Sequence, residues 1–119
     1  MKLGRKKSGG KYKRPNQTKL HARGGIVRVV KLADEKRKTI RGRGGSQKLV
    51  SLSGNKVNLA VKGKSKKVTI KNVLETPSDR FLARQNVLVK GSIIETDAGK
   101  ARITNRPSQE GMIQAVLVE

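Results

Sequence analysis

Short Val- and Ile-rich segments, a near absence of aromatic residues and a basic N-terminal stretch without apolar periodicity predict a mainly β fold. The expected architecture is a small antiparallel β-barrel with one short helix and an extended basic N-terminal arm. The 119-residue chain contains one Tyr (Tyr12), one Phe (Phe81) and no Trp. Its core must come from Val, Ile and Leu, which suit the pleated, half-buried surface of a sheet. Seven or more short apolar runs, separated by turn residues and without βαβ alternation, point to a barrel or sandwich. A closed barrel also hides the strand edges that would otherwise template aggregation. The organisation read from this is an arm over residues 1–25 and a β-barrel domain over 26–119.

The arm comes first. "GRKKSGGKYKRP", Gly4 to Pro15, holds six Lys and Arg residues, and five Gly (Gly4, Gly9, Gly10, Gly24 and Gly25) occur before residue 26. Burial here cannot offset chain entropy of about 1–2 kcal/mol per residue, so the isolated arm is expected to be disordered. From Ile26 the character changes. "IVRVVKL" (26–32) is a predicted strand and "RKTIRGR" (37–43) a weaker one. "QKLVSLS" (47–53) and "KVNLAVK" (56–62) flank Gly54-Asn55, a pair suited to a two-residue hairpin turn. The basic segment "KGKSKK" (62–67) is read as a loop leading into "KVTIKNV" (67–73), where Val68 and Ile70 face inward and Lys67, Thr69 and Lys71 outward. A helix is predicted over 77–86, with Thr76 as cap, Pro77 at the first helical position and Asp79 as the capping-box acid. Arg80 and Arg84, four apart, then share a face. "NVLVKGSIIET" (86–96), "KARIT" (100–104) and "MIQAVLVE" (112–119) complete the strands, with a tight turn at Asp97-Ala98-Gly99 and a longer loop at "NRPSQEG" (105–111).

Charge dictates the partner class. The chain carries 29 basic and 8 acidic residues, net +21. Residues 1–48 hold 17 basic and 2 acidic residues, 49–84 hold 8 and 2, and 85–119 hold 4 and 4. Such asymmetry implies a face turned to a polyanion. No run of about 18 apolar residues could span a membrane, and the basic start lacks the apolar stretch of a secretory signal. The chain has no Cys, so neither disulfides nor thiolate metal sites arise, and an intracellular location is expected. The sequon Asn16-Gln17-Thr18 then carries no weight.

Catalytic chemistry finds few candidates. Gly4 to Lys11 nearly spells a phosphate-binding P-loop, but an extra Gly intervenes, Tyr12 follows Lys11, and a preceding strand has no room. His21 is the one His, beside Arg23 in the basic arm, where it suits an RNA or solvent contact better than catalysis. Asp34 and Glu35 are adjacent in a turn and diverge; Glu95 and Asp97 are read as charge balance rather than a metal site. No nucleophile–base pair is visible, which argues against a nuclease. "IRGRGGSQK" (40–48) is more informative: Arg41 and Arg43 alternate with Gly, and Gly44-Gly45 lets the backbone turn sharply and approach another surface. Arg forks bind phosphate in bidentate fashion; the alternative is a solvated hairpin tip. Arg23-Gly24-Gly25 and Arg43-Gly44-Gly45 also look like isolated RGG boxes. Tyr12 could stack on a base or sugar or be a loosely packed ring.

These residues together resemble the S8e family of small-subunit ribosomal proteins, in its archaeal form. The likeness runs through Asn72-Val73-Leu74-Glu75, Pro77, Arg84, Asn86, Lys90-Gly91 and Ile93-Ile94-Glu95-Thr96. It resumes with Gly99, Ala101, Thr104, Arg106-Pro107, Gln109 and Gly111, and closes on Ala115-Val116-Leu117 and Glu119. Thr39-Ile40-Arg41, Arg43-Gly44-Gly45 and Lys48 match the family's Gly-Gly turn, and Gly9-Gly10 with Arg14-Pro15 its basic start. The chain departs from the family at "NQTKLHARGG" (16–25), where a long basic run is usual, and at Ser46, where Asn is usual.

The resemblance implies a structural constituent of the small ribosomal subunit in the cytoplasm, not an enzyme, binding folded rRNA through a basic arm and basic loops. No cofactor, metal, membrane or small-molecule substrate is implied, and no stable homo-oligomer. The partners are small-subunit rRNA and neighbouring small-subunit proteins. The expected rRNA contacts are Lys2, Arg5, Lys6, Lys7, Lys11, Tyr12, Lys13, Arg14, Lys19, His21 and Arg23 in the arm. Lys38, Arg41, Arg43, Gly44, Gly45 and Lys48 belong to the Gly-Gly turn, Lys64, Lys66 and Lys67 to the basic loop, and Arg80, Arg84 and Arg106 to the later half. The competing reading is a general DNA- or RNA-binding or nucleic-acid-compacting protein, which the same charge would serve. Against it, no amphipathic recognition helix or dimer interface is legible.

Overall fold

Alternating Val, Leu and Ile residues do form strands, and the strands close on themselves. The computed structural model describes residues 4–12, 18–25, 27–61 and 63–118. Its strands are β1 (Lys36–Arg41), β2 (Gln47–Ser53), β3 (Lys56–Val61), β4 (Lys64–Glu75), β5 (Ile93–Thr96), β6 (Gly99–Ile103) and β7 (Gln114–Leu117), with a single α-helix, α1 (Arg80–Arg84), between β4 and β5. β3 to β7 form a closed barrel, while β1 and β2 make a separate two-stranded antiparallel sheet. The fold class is therefore the predicted one. Four seams of the barrel are antiparallel. The closing seam is parallel: Asn58–Ala60 of β3 lie beside Gln114–Val116 of β7. The radius of gyration is 20.3 Å, against about 13–14 Å for a compact chain of this length, so much of the chain projects from the barrel.

Inward-facing residues from every barrel strand meet in one core. Val57 and Leu59 (β3), Ile70 and Val73 (β4), Ile94 (β5), Ala101 and Ile103 (β6) and Ala115 (β7) are all buried, joined by Val30, Leu88 and Ile113 from the connections. Ile70 and Val73 are an odd number of residues apart, so a regular strand would send them to opposite faces. The ladder shifts register between Ile70 and Asn72. That bulge resets the alternation and bends β4, whose first half pairs with β3 and second half with β5.

Several expected elements differ. Gly54-Asn55 is not a hairpin turn, because β2 pairs with β1 and β3 pairs with β4 and β7. Instead, the Gly54 N–H donates to Lys31 O (3.2 Å) and Asn55 O accepts from the Ile70 N–H (2.8 Å). Gly54 is the point where the chain passes from the small sheet to the barrel, and a Cβ there would stand 3.0 Å from Ile113 Cδ1. Of the predicted strand 26–32, Ile26 lies outside the described residues. Of the rest, only Lys31 forms β-bridges, to Ser53 and Val87. Its neighbour cannot supply a ladder: 86–92 is not the predicted strand, turning at Asn86 (φ 53°) and Gly91 (φ 87°), and β5 begins only at Ile93.

The helix is shorter than 77–86. Thr76 is buried, its hydroxyl 3.1 Å from Ser92 Oγ, so its oxygen does not cap. Asp79 takes that place, accepting from the Phe81 N–H at 2.9 Å. Of the basic segment 62–67, Lys62 lies outside the described residues, and the rest is not a loop beyond Gly63 (φ 79°): Lys64, Lys66 and Lys67 lie on β4.

The small sheet is tied to the barrel through the loop 105–111. Asn105 clasps that loop, its amide donating to Met112 O (2.7 Å) and Glu110 Oε2 (2.8 Å) and its Oδ1 accepting from the Gln114 N–H (3.0 Å). The Ser51 N–H is shared by Pro107 O (3.1 Å) and Glu110 O (3.2 Å). Gly111 lies against Leu49: a Cβ would fall 2.4 Å from Leu49 Cδ2 and 2.6 Å from Cγ. Gly111→Ala is expected to cost about 1–2 kcal/mol by overpacking, with Leu49→Ala in the same chain recovering most of it. A denaturant double-mutant cycle measures this coupling.

Candidate nucleic-acid interface

The β1–β2 sheet presents a cationic ribbon. Lys36, Arg37, Lys38 and Arg41 of β1 are all exposed. Lys38 stands opposite Val50, Ile40 opposite Lys48 and Arg41 opposite Gln47. Directly opposed residues share a face, so Lys38 and Lys48 project from one side and Arg37 and Arg41 from the other. At the tip, Gly44 (φ 71°) and Gly45 (φ 79°) adopt left-handed conformations that a side chain would disfavour. The Gly42 N–H to Ser46 O bond (2.6 Å) closes the turn, and Ser46 Oγ donates to Arg43 O (3.2 Å). Arg43 is thereby held at the end of the ribbon. Lys48 differs from the others, donating to Gln109 Oε1 at 2.5 Å.

The N-terminal residues fold locally without burying anything. Arg5 bridges Lys11, the Lys6 N–H donates to Gly10 O (2.8 Å) and the Gly9 N–H to Lys6 O (2.9 Å). This small reverse turn, with Gly9 at φ 80°, is not the strand–loop–helix of a P-loop. Arg5, Lys6, Lys7 and Lys11 are exposed, and Lys6 Nζ sits 5.8 Å from the centre of the Tyr12 ring. Lys19, His21 and Arg23 are exposed around a short 3-10 turn at Leu20–Ala22. Lys2, Lys13 and Arg14 lie outside the described residues.

The remaining expected contacts are spread over the barrel. Lys66 opposes Leu59 and Lys64 opposes Val61, which places both lysines on the interior-facing side of the β3–β4 hairpin. Lys64 stands past the stretch where β7 pairs with β3, Lys66 stands opposite its middle residue, Leu59, and both are exposed. Lys67, opposite Asn58, projects from the other face. Arg80 and Arg84 do share a face, lining a cleft of about 490 Å³ between α1 and β4 with Asn72, Glu75, Thr76 and Asn86. Arg106 is exposed and borders a separate apolar cleft of about 230 Å³ with Val27, Val29 and Leu82. The arginine pair is thus brought together, while the other contacts form several basic patches rather than one pocket. Exposed Lys36, Arg37 and Lys56 were not singled out by the sequence. The signal was present in β1, where the apolar alternation expected of a half-buried strand is missing.

Among the described residues only two ion pairs form, Arg37 with Glu35 and Lys71 with Asp97 at 3.2 Å. Both are about half exposed and contribute little. Of the Glu95 and Asp97 pair, Asp97 is the one that meets a lysine. Among the described residues the other cations have no carboxylate at salt-bridge distance.

These features define a small, strongly basic β-barrel protein whose surface cations are left largely uncompensated by its own acids. The family model described as "Ribosomal protein S8e" matches residues 1–118. Curated proteins named small ribosomal subunit protein eS8 are similar along nearly the whole chain. That of Haloarcula marismortui is 36% identical over 115 residues, covering 97% of this chain and 94% of its own. That of Pyrobaculum aerophilum is 39% identical, covering 97% and 91%. That of Methanobrevibacter smithii is 42% identical over 88 residues, covering 71% and 70%. The chain belongs to the ribosomal protein S8e family, and the relatives are named as ribosomal proteins rather than enzymes.

Proposed function

We propose that this protein is a structural constituent of the small ribosomal subunit in the cytoplasm, where it binds and stabilises folded rRNA. Residues 1–25 act as an rRNA-threading arm and 26–119 as the body that anchors it. The observation that carries this reading is the set of exposed cations along the arm and the β1–β2 ribbon, facing only two internal ion pairs among the described residues. A body of this charge repels itself, and close-packed rRNA phosphates repel one another; juxtaposing the two relieves both. Arg41 and Arg43 supply phosphate forks, and the left-handed Gly44-Gly45 tip leaves backbone free to approach a sugar–phosphate chain. Selectivity comes from shape and phosphate spacing, since A-form grooves display little sequence to side chains. Neighbouring small-subunit proteins are further partners, and the protein acts as a single copy. The test is competition binding of small-subunit rRNA against duplex DNA of equal length. Preference for rRNA is expected; equal affinity would favour a general nucleic-acid-binding protein instead.

A further inference from the structure

The chain's two aromatic side chains, Tyr12 and Phe81, are both on its surface, 52% and 65% exposed, while its core is aliphatic. Phe81 is the more telling, because its surroundings are built. It sits on α1 with the Arg84 guanidinium 5.7 Å from the ring centre, and Arg84 and Arg80 line the adjoining cleft. Across that cleft, Asn72 Oδ1 (2.9 Å) and Asn86 Oδ1 (3.4 Å) both accept from the Val73 N–H. The shared donor fixes which end of each amide is oxygen, so both NH₂ groups remain as donors. Among the described residues neither NH₂ has a protein partner.

We propose that Phe81 is a stacking platform for one unpaired nucleobase of the RNA, with Arg80 and Arg84 on its phosphate and the Asn72 and Asn86 amides on its sugar and base edge. This rests on the RNA-binding reading above and adds a site to it. An exposed ring beside a guanidinium suits a base, whose π-face stacks on the ring whatever its sequence. The cleft also holds the Glu75 carboxylate, which would repel a lone phosphate but can accept from an exocyclic amino group. The cleft walls mix these amides and charges with Val73, Leu74 and Ala83; the amide donors and guanidinium groups are what a nucleotide can engage and an apolar protein surface cannot.

The chain has no Trp, so Phe81→Trp in the full chain places one reporter at the site. Its fluorescence is expected to be quenched by an unstructured single-stranded RNA but unchanged by the matching duplex or by heparin. Phe81→Ala is expected to weaken single-strand binding roughly 5- to 100-fold at an unchanged salt slope, because every phosphate partner stays in place. RNA binding without quenching, and with Phe81→Ala at full affinity, would overturn the stacking site and leave the ring to a protein neighbour. Failure of the unaltered protein to bind RNA at all would overturn the proposed function itself, and this site with it.

Discussion

Deleting residues 1–25 is expected to lower affinity for small-subunit rRNA by orders of magnitude and to leave the barrel nearly as stable as before. The segment contributes nine of the 29 Lys and Arg residues. Its described side chains, at 4–12, 18–19 and 21–25, are all exposed, so little burial goes with them. Each neutralised phosphate releases counterions, and with about 8 phosphates engaged the log–log dependence on salt should have a slope of roughly −6 to −7. The truncated protein should show a slope shallower by about 0.7–0.9 for every phosphate that the arm no longer neutralises. Filter binding across a salt series reads affinity and slope together, and circular dichroism melting checks the fold. Unchanged affinity and slope after truncation would end the case for the arm.

The second large effect lies in the core. Leu59 is fully buried on β3, the strand that makes both the β3/β4 seam and the parallel seam to β7. Leu59→Ala removes apolar packing and leaves a cavity, a loss of about 2–5 kcal/mol. For a domain of this size the melting temperature should fall by roughly 10–20 °C. Val116, on β7 but 46% exposed, is the control: Val116→Ala should shift melting by only a few degrees. A larger loss at Val116 than at Leu59 would mean that the inward and outward faces have been assigned the wrong way round.

Local pattern made the strands legible, and long-range pairing did not. Gln47–Ser53 and Lys56–Val61 lie where period-two alternation predicts them. Gly54-Asn55 between them satisfies the local chemistry of a hairpin, yet the two strands enter different sheets. What separates them is the seating of Gly54 against Ile113, nearly sixty residues away, which no local window contains. The helix shows the same limit. Thr76 is a good cap in isolation, but Ser92 claims its hydroxyl and the start moves to Asp79. The bulge after Ile70 is equally silent in sequence, being a property of the pairing between β4 and β5. For the candidate interface, most of the exposed cations were legible, because exposed Lys and Arg need no tertiary contact to be recognised. Phe81 as a surface feature was missed, since beside Leu82 and Ala83 in the short helix nothing local says which apolar side chain turns to solvent.

The parallel seam has a consequence for how the molecule comes into being. A tight turn can join antiparallel neighbours, but strands running the same way must be brought together by the chain between them. Asn58 meets Gln114 only after β4, β5 and β6 have been laid down in order. The entropy of that long closure must be met before the pairing gives anything back. Until then β3 and β7 each present a row of unclaimed amides and carbonyls, an invitation to any passing strand. A newborn chain of this charge is thus exposed at two rims at once, and prompt capture by an acidic scaffold would shield it while the ring snaps shut.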